Sequence, residues 1–187
     1  MKMLSAKSRK KLSVKAQILV SLVAIITAVG LPQILHLIGN ASGIGSAVGE
    51  VFLPMHLPVM LVGLLAGRYV GAVVGFLSPI ISFALTGMPR TALLPFMVIE
   101  LCAYGLCAGL ICNVKMPTII KVLITQFAGR AVRAVAIIVA FYGFSSTAVP
   151  VSIIWNSIIV GLIGIILQLV IVPLVVYRVD RIDNNGK

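Results

Sequence analysis

The sequence predicts an all-α integral membrane protein with six transmembrane helices, and three observations lead to this fold class. First, 60% of the 187 residues are hydrophobic and only 10% are charged, whereas a typical soluble domain has about 25% charged residues. Second, the chain contains six apolar runs of about the length that a helix needs to cross a bilayer. Third, nine of the 15 lysines and arginines lie before the first run or after the last one.

The six runs divide the chain in order, and loops rich in glycine, serine, asparagine or proline separate them. We expect a single six-helix transmembrane domain at 16–177, between a basic tail at 1–15 and a polar tail at 178–187. The predicted spans are 16–38, 51–67, 70–86, 91–112, 118–142 and 151–177.

The positions of the basic residues predict the orientation of the spans. If the amino terminus is cytoplasmic, the three outer loops together carry only Arg90. Cytoplasmic segments carry an excess of lysine and arginine, so both termini are expected inside. The net charge of +11 is then explained by flanks that face anionic membrane lipid. We therefore expect lipid, and no nucleic acid, among the partners.

Small residues at intervals of four predict where helices approach each other closely. Gly67, Gly71 and Gly75 follow this spacing on the third run, and Gly105 and Gly109 follow it on the fourth. In lipid, such residues let two helix backbones pack against each other.

Two arginines in the middle of the fifth run have the highest free-energy cost of insertion into a membrane in this sequence. An arginine at the bilayer centre costs about 2.5 to 3.5 kcal/mol, and it usually faces a bundle interior or a wet cavity. Gln126, Arg130 and Arg133 are spaced to share one helix face. Glu100 and Arg133 lie at equal depth, about 14 Å below the outer ends of their runs at 1.5 Å per residue. We predict that these two residues form an ion pair, and that Arg130 remains unpaired or shares it.

Other polar and aromatic side chains fall at outer or middle depth in the membrane, which predicts a pocket open to the outside. The candidate binding residues are Arg130, Arg133, Glu100, His56, Asn156, Trp155, Tyr104 and His36. Structural roles are the alternatives: the ion pair could only hold the bundle together, the histidines could be packed or face water, and Trp155 could be an interfacial anchor.

The sequence contains no motif that indicates an enzyme. It lacks the phosphate-binding loop G-x-x-x-x-G-K-[ST], and it lacks H-E-x-x-H and G-x-S-x-G. Cys102, Cys107 and Cys112 follow each other at steps of five residues, which spreads the thiols around a helix. We expect no catalytic residue, no metal and no cofactor.

Several motifs in a distinctive order resemble a known family, the substrate-binding S components of energy-coupling factor (ECF) vitamin transporters. The resemblance covers nearly the whole chain, and it includes the A-x-x-x-A motif of the first run. Its other motifs are LPMHLPV at 53–59, the glycine-bearing stretch 63–75, TGMP at 86–89, ELCAYGL at 100–106 and GR at 129–130.

The resemblance implies a subunit in a bacterial plasma membrane that captures a vitamin or related micronutrient from outside. It also implies partners, namely a transmembrane coupling subunit and two cytosolic ATPases that power release inward. Ala24 and Ala28 match the small-residue surface on which family members dock to the coupling subunit. The substrate is left open among pantothenate, a folate, a vitamin B6 form, a cobalamin and others.

Two other functions remain as alternatives. The chain could be a stand-alone secondary transporter driven by protons or sodium, with Glu100 as the coupling acid. Against this, the spans contain one acid and no clear inverted repeat. The chain could also be a membrane scaffold that binds no ligand.

Overall fold

The computed structural model describes residues 13–43, 54–144 and 149–185, and within these ranges the secondary structure is helical. The helices, in chain order, are α1 (Val14–Ala41), α2 (His56–Ala66), α3 (Arg68–Thr86), α4 (Leu94–Ile111), α5 (Thr118–Ile138), α6 (Ile153–Val160) and α7 (Leu162–Asn185). A π-helical turn, Val139–Gly143, continues α5. The all-α membrane fold class predicted from the sequence is confirmed.

Within the described ranges, five stretches are long and apolar enough to cross a membrane: α1, α3, α4, α7 and the stretch that joins α5 to its π-helical turn. Helix α2 is a shorter apolar helix. The predicted second span began at residue 51, and residues 51–53 lie outside the described ranges. The count of six spans and the cytoplasmic position of both termini therefore stay predictions.

The predicted sixth span is divided by a break at Gly161. Helix α6 ends at Val160, and α7 begins at Leu162 and runs on to Asn185. The segment from residue 178, predicted to be a polar tail, thus continues the last helix for two turns. Large apolar side chains remain exposed on most helices, as expected for surfaces that face lipid rather than water.

Glycine conformations define two of the connections. Gly67 has φ 96° and separates α2 from α3, and Gly87 has φ 71° and ends α3. Residues with a side chain rarely adopt a positive φ, so glycine is the residue suited to both positions. The predicted spans ended at residue 67 and resumed at residue 70, which left Arg68 and Tyr69 as the turn between them. In the structure both residues already belong to α3, and the turn is Gly67 alone.

Helices α2, α3 and α4 form the most tightly packed part of the bundle. A Cβ atom added at Gly71 would overlap the backbone of Gly105, and one added at Gly75 would overlap the carbonyl of Leu101. A Cβ atom at Gly109 would overlap the backbone of Arg68. The close approach predicted from the glycine spacing is confirmed for these residues. A Cβ added at Gly67 would meet no described atom within 4 Å, but the carbonyl carbon of Gly67 belongs to the same close contact with Gly109.

Helix α1 packs against α2 and α3, and two of its alanines are buried in the bundle. Ala24 is 8% exposed and Ala28 is fully buried, and both belong to the hydrophobic core. Their small side chains allow α1 to approach its neighbours. A role for Ala24 and Ala28 in docking to a coupling subunit stays a prediction.

Candidate functional site

Glu100 on α4 lies at the centre of the polar cluster inside the bundle. It is fully buried, and its Oε2 accepts a hydrogen bond of 2.9 Å from Nη1 of Arg133 on α5. The ion pair predicted from equal depth is confirmed. An arginine opposite a carboxylate makes a charge-assisted hydrogen bond, the stronger kind, which offsets part of the cost of burying both charges.

His56 and Tyr104 support Glu100 from the side of α2. The ring of His56 is 3% exposed and meets the ring of Tyr104 edge to face, with 5.1 Å between centroids. Its Nε2 lies 3.7 Å from Oε1 of Glu100, which is too far for a hydrogen bond. Gly129 leaves room for Tyr104, because a Cβ atom there would approach the phenol ring to 3.0 Å.

Arg130 lies one turn from Arg133 and opens onto a cleft. The cleft has a volume of about 220 Å³ with its open mouth included. Its polar lining comes from Glu100, Arg130, Arg133 and Ser157, and its apolar lining from Ala134, Ile137, Ile154 and Ile158. Helices α4, α5 and α6 therefore build the cleft together.

Five buried side-chain atoms in this region have no hydrogen-bond partner among the described residues. They are Oε1 of Glu100, Nε of Arg130, Nε of Arg133, and Nδ1 and Nε2 of His56. Buried polar groups in folded proteins are nearly always hydrogen-bonded, so a group of exceptions in one place needs an explanation. A site that receives a polar ligand supplies one.

Residues 10–176 match the family model described as ECF transporter, substrate-specific component. The chain belongs to this family. No curated protein and no solved structure matches the chain. The resemblance stated from the sequence motifs is thereby confirmed. Membership means that the protein is a substrate-binding subunit of a membrane transporter, and not an enzyme.

In this S component, five of the eight predicted binding residues lie outside the cleft lining. His56 and Tyr104 lie beside Glu100, as described above. Trp155 is 69% exposed and Asn156 is also exposed, although both belong to α6. His36 is half-buried on α1, and its Nδ1 has no partner among the described residues. A role in binding stays a prediction for all eight side chains.

Sequence reasoning missed Ser157 and the apolar residues of α6 that line the cleft. Ser157 follows the predicted Asn156 directly, and one residue turns a helix by about 100°. When a segment is apolar all round, its sequence does not show which face of the helix points into the bundle. The depth of this part of α6 was therefore predicted, but its rotation about the helix axis was not.

Gln126 also departs from its predicted place. It was expected to share the face of Arg130 and Arg133, but it is 5% exposed and its Nε2 donates a 3.0 Å hydrogen bond to Oε1 of Gln168 on α7. This bond joins α5 to α7. Gln126 therefore holds two helices together and does not line the cleft.

Proposed function

We propose that this S component captures a vitamin or related micronutrient from outside the cell in the cleft between α4, α5 and α6. It would then deliver the molecule inward with a transmembrane coupling subunit and two cytosolic ATPases, in a bacterial plasma membrane. The observation that carries the proposal is the cleft that Glu100, Arg130 and Arg133 line, in a chain whose family binds substrates.

The charges of the cleft support a binding role. Two guanidinium groups and one carboxylate share a small volume, and part of their hydrogen-bonding capacity is unused. An interaction that served only to hold the bundle together would need no more than the pair Glu100–Arg133. Arg130 adds a second cation at a cost that a bound ligand can offset.

The energy for transport would come from partner subunits. ECF substrate-specific components act together with an ECF module, and the sequence has no phosphate-binding loop of its own. The isolated chain is therefore expected to bind its substrate without ATP. Uptake against a gradient is expected only when the coupling subunit and ATPases are present.

Calorimetry on the purified chain in detergent, with a panel of B-group vitamins, tests the binding step. We expect saturable binding of a panel compound without ATP, and the absence of any binding would contradict the proposal. Reconstitution into liposomes tests the transport step. Uptake by the chain alone, driven by a proton or sodium gradient, would favour a secondary transporter with Glu100 as its coupling acid.

A further inference from the structure

We propose that the cleft recognises a small anion that also carries a hydrogen-bond donor. In this assignment Arg130 binds the carboxylate or phosphate of the ligand, and Oε1 of Glu100 accepts a hydrogen bond from an N–H or O–H group of the same molecule. The inference rests on the proposed function, because it takes the cleft as the substrate site, and it adds the chemical class of the substrate.

The charge balance of the cleft requires an anion. Glu100 is the one acid among the described residues that line the cleft, and its Oε2 is bound to Arg133. Arg130 lines the same cleft, and its buried Nε has no partner among the described residues. The guanidinium group offers five N–H donors in a fork that matches the oxygens of a carboxylate or phosphate. An anion would neutralise the spare charge and occupy these donors.

The second requirement, a hydrogen-bond donor, follows from the unused oxygen of Glu100. The residue is fully buried and lines the cleft, yet its Oε1 accepts no hydrogen bond from a described residue. Nε2 of His56 lies 3.7 Å from this oxygen, which is too far for a hydrogen bond. An ionised carboxylate only accepts hydrogen bonds, so the ligand group that satisfies Oε1 must be a donor.

The apolar part of the lining limits the rest of the ligand. Ala134, Ile137, Ile154 and Ile158 form an apolar wall that suits a ring or a short branched chain.

Matched pairs of ligands test the charge and the donor separately, by calorimetry on the purified full chain. The anions are pantothenate, 4-aminobenzoate and pyridoxine 5′-phosphate, and their neutral counterparts are panthenol, 4-aminobenzamide and pyridoxine. Benzoate keeps the charge of 4-aminobenzoate without its donor, and the cation thiamine completes the panel. We expect the tightest compound to be one of the three anions, and its neutral counterpart to bind about 10- to 100-fold more weakly.

Variants of Arg130 connect this preference to the cleft. In Arg130→Gln, the ratio of affinities between the best anion and its neutral counterpart should fall to about one, whereas Arg130→Lys should retain part of it. The ratio does not depend on the fraction of folded protein, so a modest loss of stability leaves the test valid. Arg90→Gln removes an equal charge from an exposed loop position, and we expect it to leave the ratio unchanged.

The outcomes separate this inference from the proposed function. A neutral compound or thiamine as the tightest ligand would overturn the inference and leave the binding role intact. If Arg130→Gln still bound the best anion more tightly than its neutral counterpart, the inference would also be overturned and the binding role would stay intact. If no compound bound, both proposals would fail. A last outcome would assign Arg130 to a lipid headgroup and overturn the inference. In that outcome no probe binds, and phosphatidylglycerol stabilises the wild type but not Arg130→Gln.

Discussion

Replacement of Glu100 by glutamine removes the charge that faces Arg133 while keeping the shape of the side chain. Glu100 is fully buried, and the side chain of Arg133 is 16% exposed. The variant therefore leaves a guanidinium group inside the bundle, close to the second cation of Arg130, with a neutral amide as its neighbour. We expect the single variant to be less stable than the double variant in which Arg133 is also replaced by glutamine.

The size of the effect follows from the burial of the pair. Removal of one partner of a buried ion pair costs about 3 to 5 kcal/mol. The loss of unfolding free energy in Glu100→Gln should lie near 3 kcal/mol, because Arg133 borders the open cleft and reaches some water. The double variant buries no uncompensated charge from this pair, and its loss should be about 1 to 2 kcal/mol, as expected for a neutral hydrogen bond in place of a charged one.

A double-mutant cycle measures this coupling, with the free energy of unfolding taken from titration with sodium dodecyl sulfate in mixed micelles and followed by circular dichroism. The control cycle combines Glu100→Gln with Arg90→Gln, and its two losses should add to within about 0.5 kcal/mol. If the losses of Glu100→Gln and Arg133→Gln also added, the two residues would not be coupled and the reasoning from the ion pair would be refuted.

Three further predictions concern packing, and the same unfolding titration measures them. Gly75→Ala should lower the free energy of unfolding by about 1 to 3 kcal/mol, because its methyl group would overlap the facing helix. Gly30→Ala is the control, since Gly30 has open space around it, and it should leave stability unchanged. Equal effects of the two variants would contradict the close approach. Ala28→Leu should cost a similar 1 to 3 kcal/mol at a fully buried position, and no loss would place Ala28 on an open surface. Gln126→Leu removes the hydrogen bond to Gln168 and should cost about 1 to 2 kcal/mol; a stability equal to that of the wild type would show that this bond adds nothing.

The pairing of Glu100 with Arg133 could be predicted because depth in a membrane can be counted along the sequence. Each helix crosses the same slab of lipid, and each residue advances about 1.5 Å along its axis. Two charges at equal depth can then meet if their helices are neighbours. The glycines of α3 and α4 gave the same kind of prediction, because a spacing of four residues puts small side chains on one face.

The rotation of each helix about its axis could not be predicted in the same way. Gln126 shares a face with Arg130 and Arg133 in an ideal helix, yet in the structure its side chain is hydrogen-bonded to Gln168 on α7. Ala24 and Ala28 do lie on one small-residue face, but that face packs inward. In a soluble helix the apolar side indicates the core, whereas in lipid both sides are apolar and this indication is lost.

The sequence alone thus determined that the protein is an α-helical membrane protein, which residues lie at equal depth, and that Arg130 and Arg133 need a polar environment. These properties depend on composition and on distance along a helix, which are local. Only the tertiary structure decided that α6 contributes Ser157 to the cleft and that Trp155 is exposed outside its lining. It also decided that Nε of Arg130 is buried without a hydrogen-bond partner among the described residues. These properties depend on which helices are neighbours and on how each is rotated, and packing against the rest of the bundle sets both.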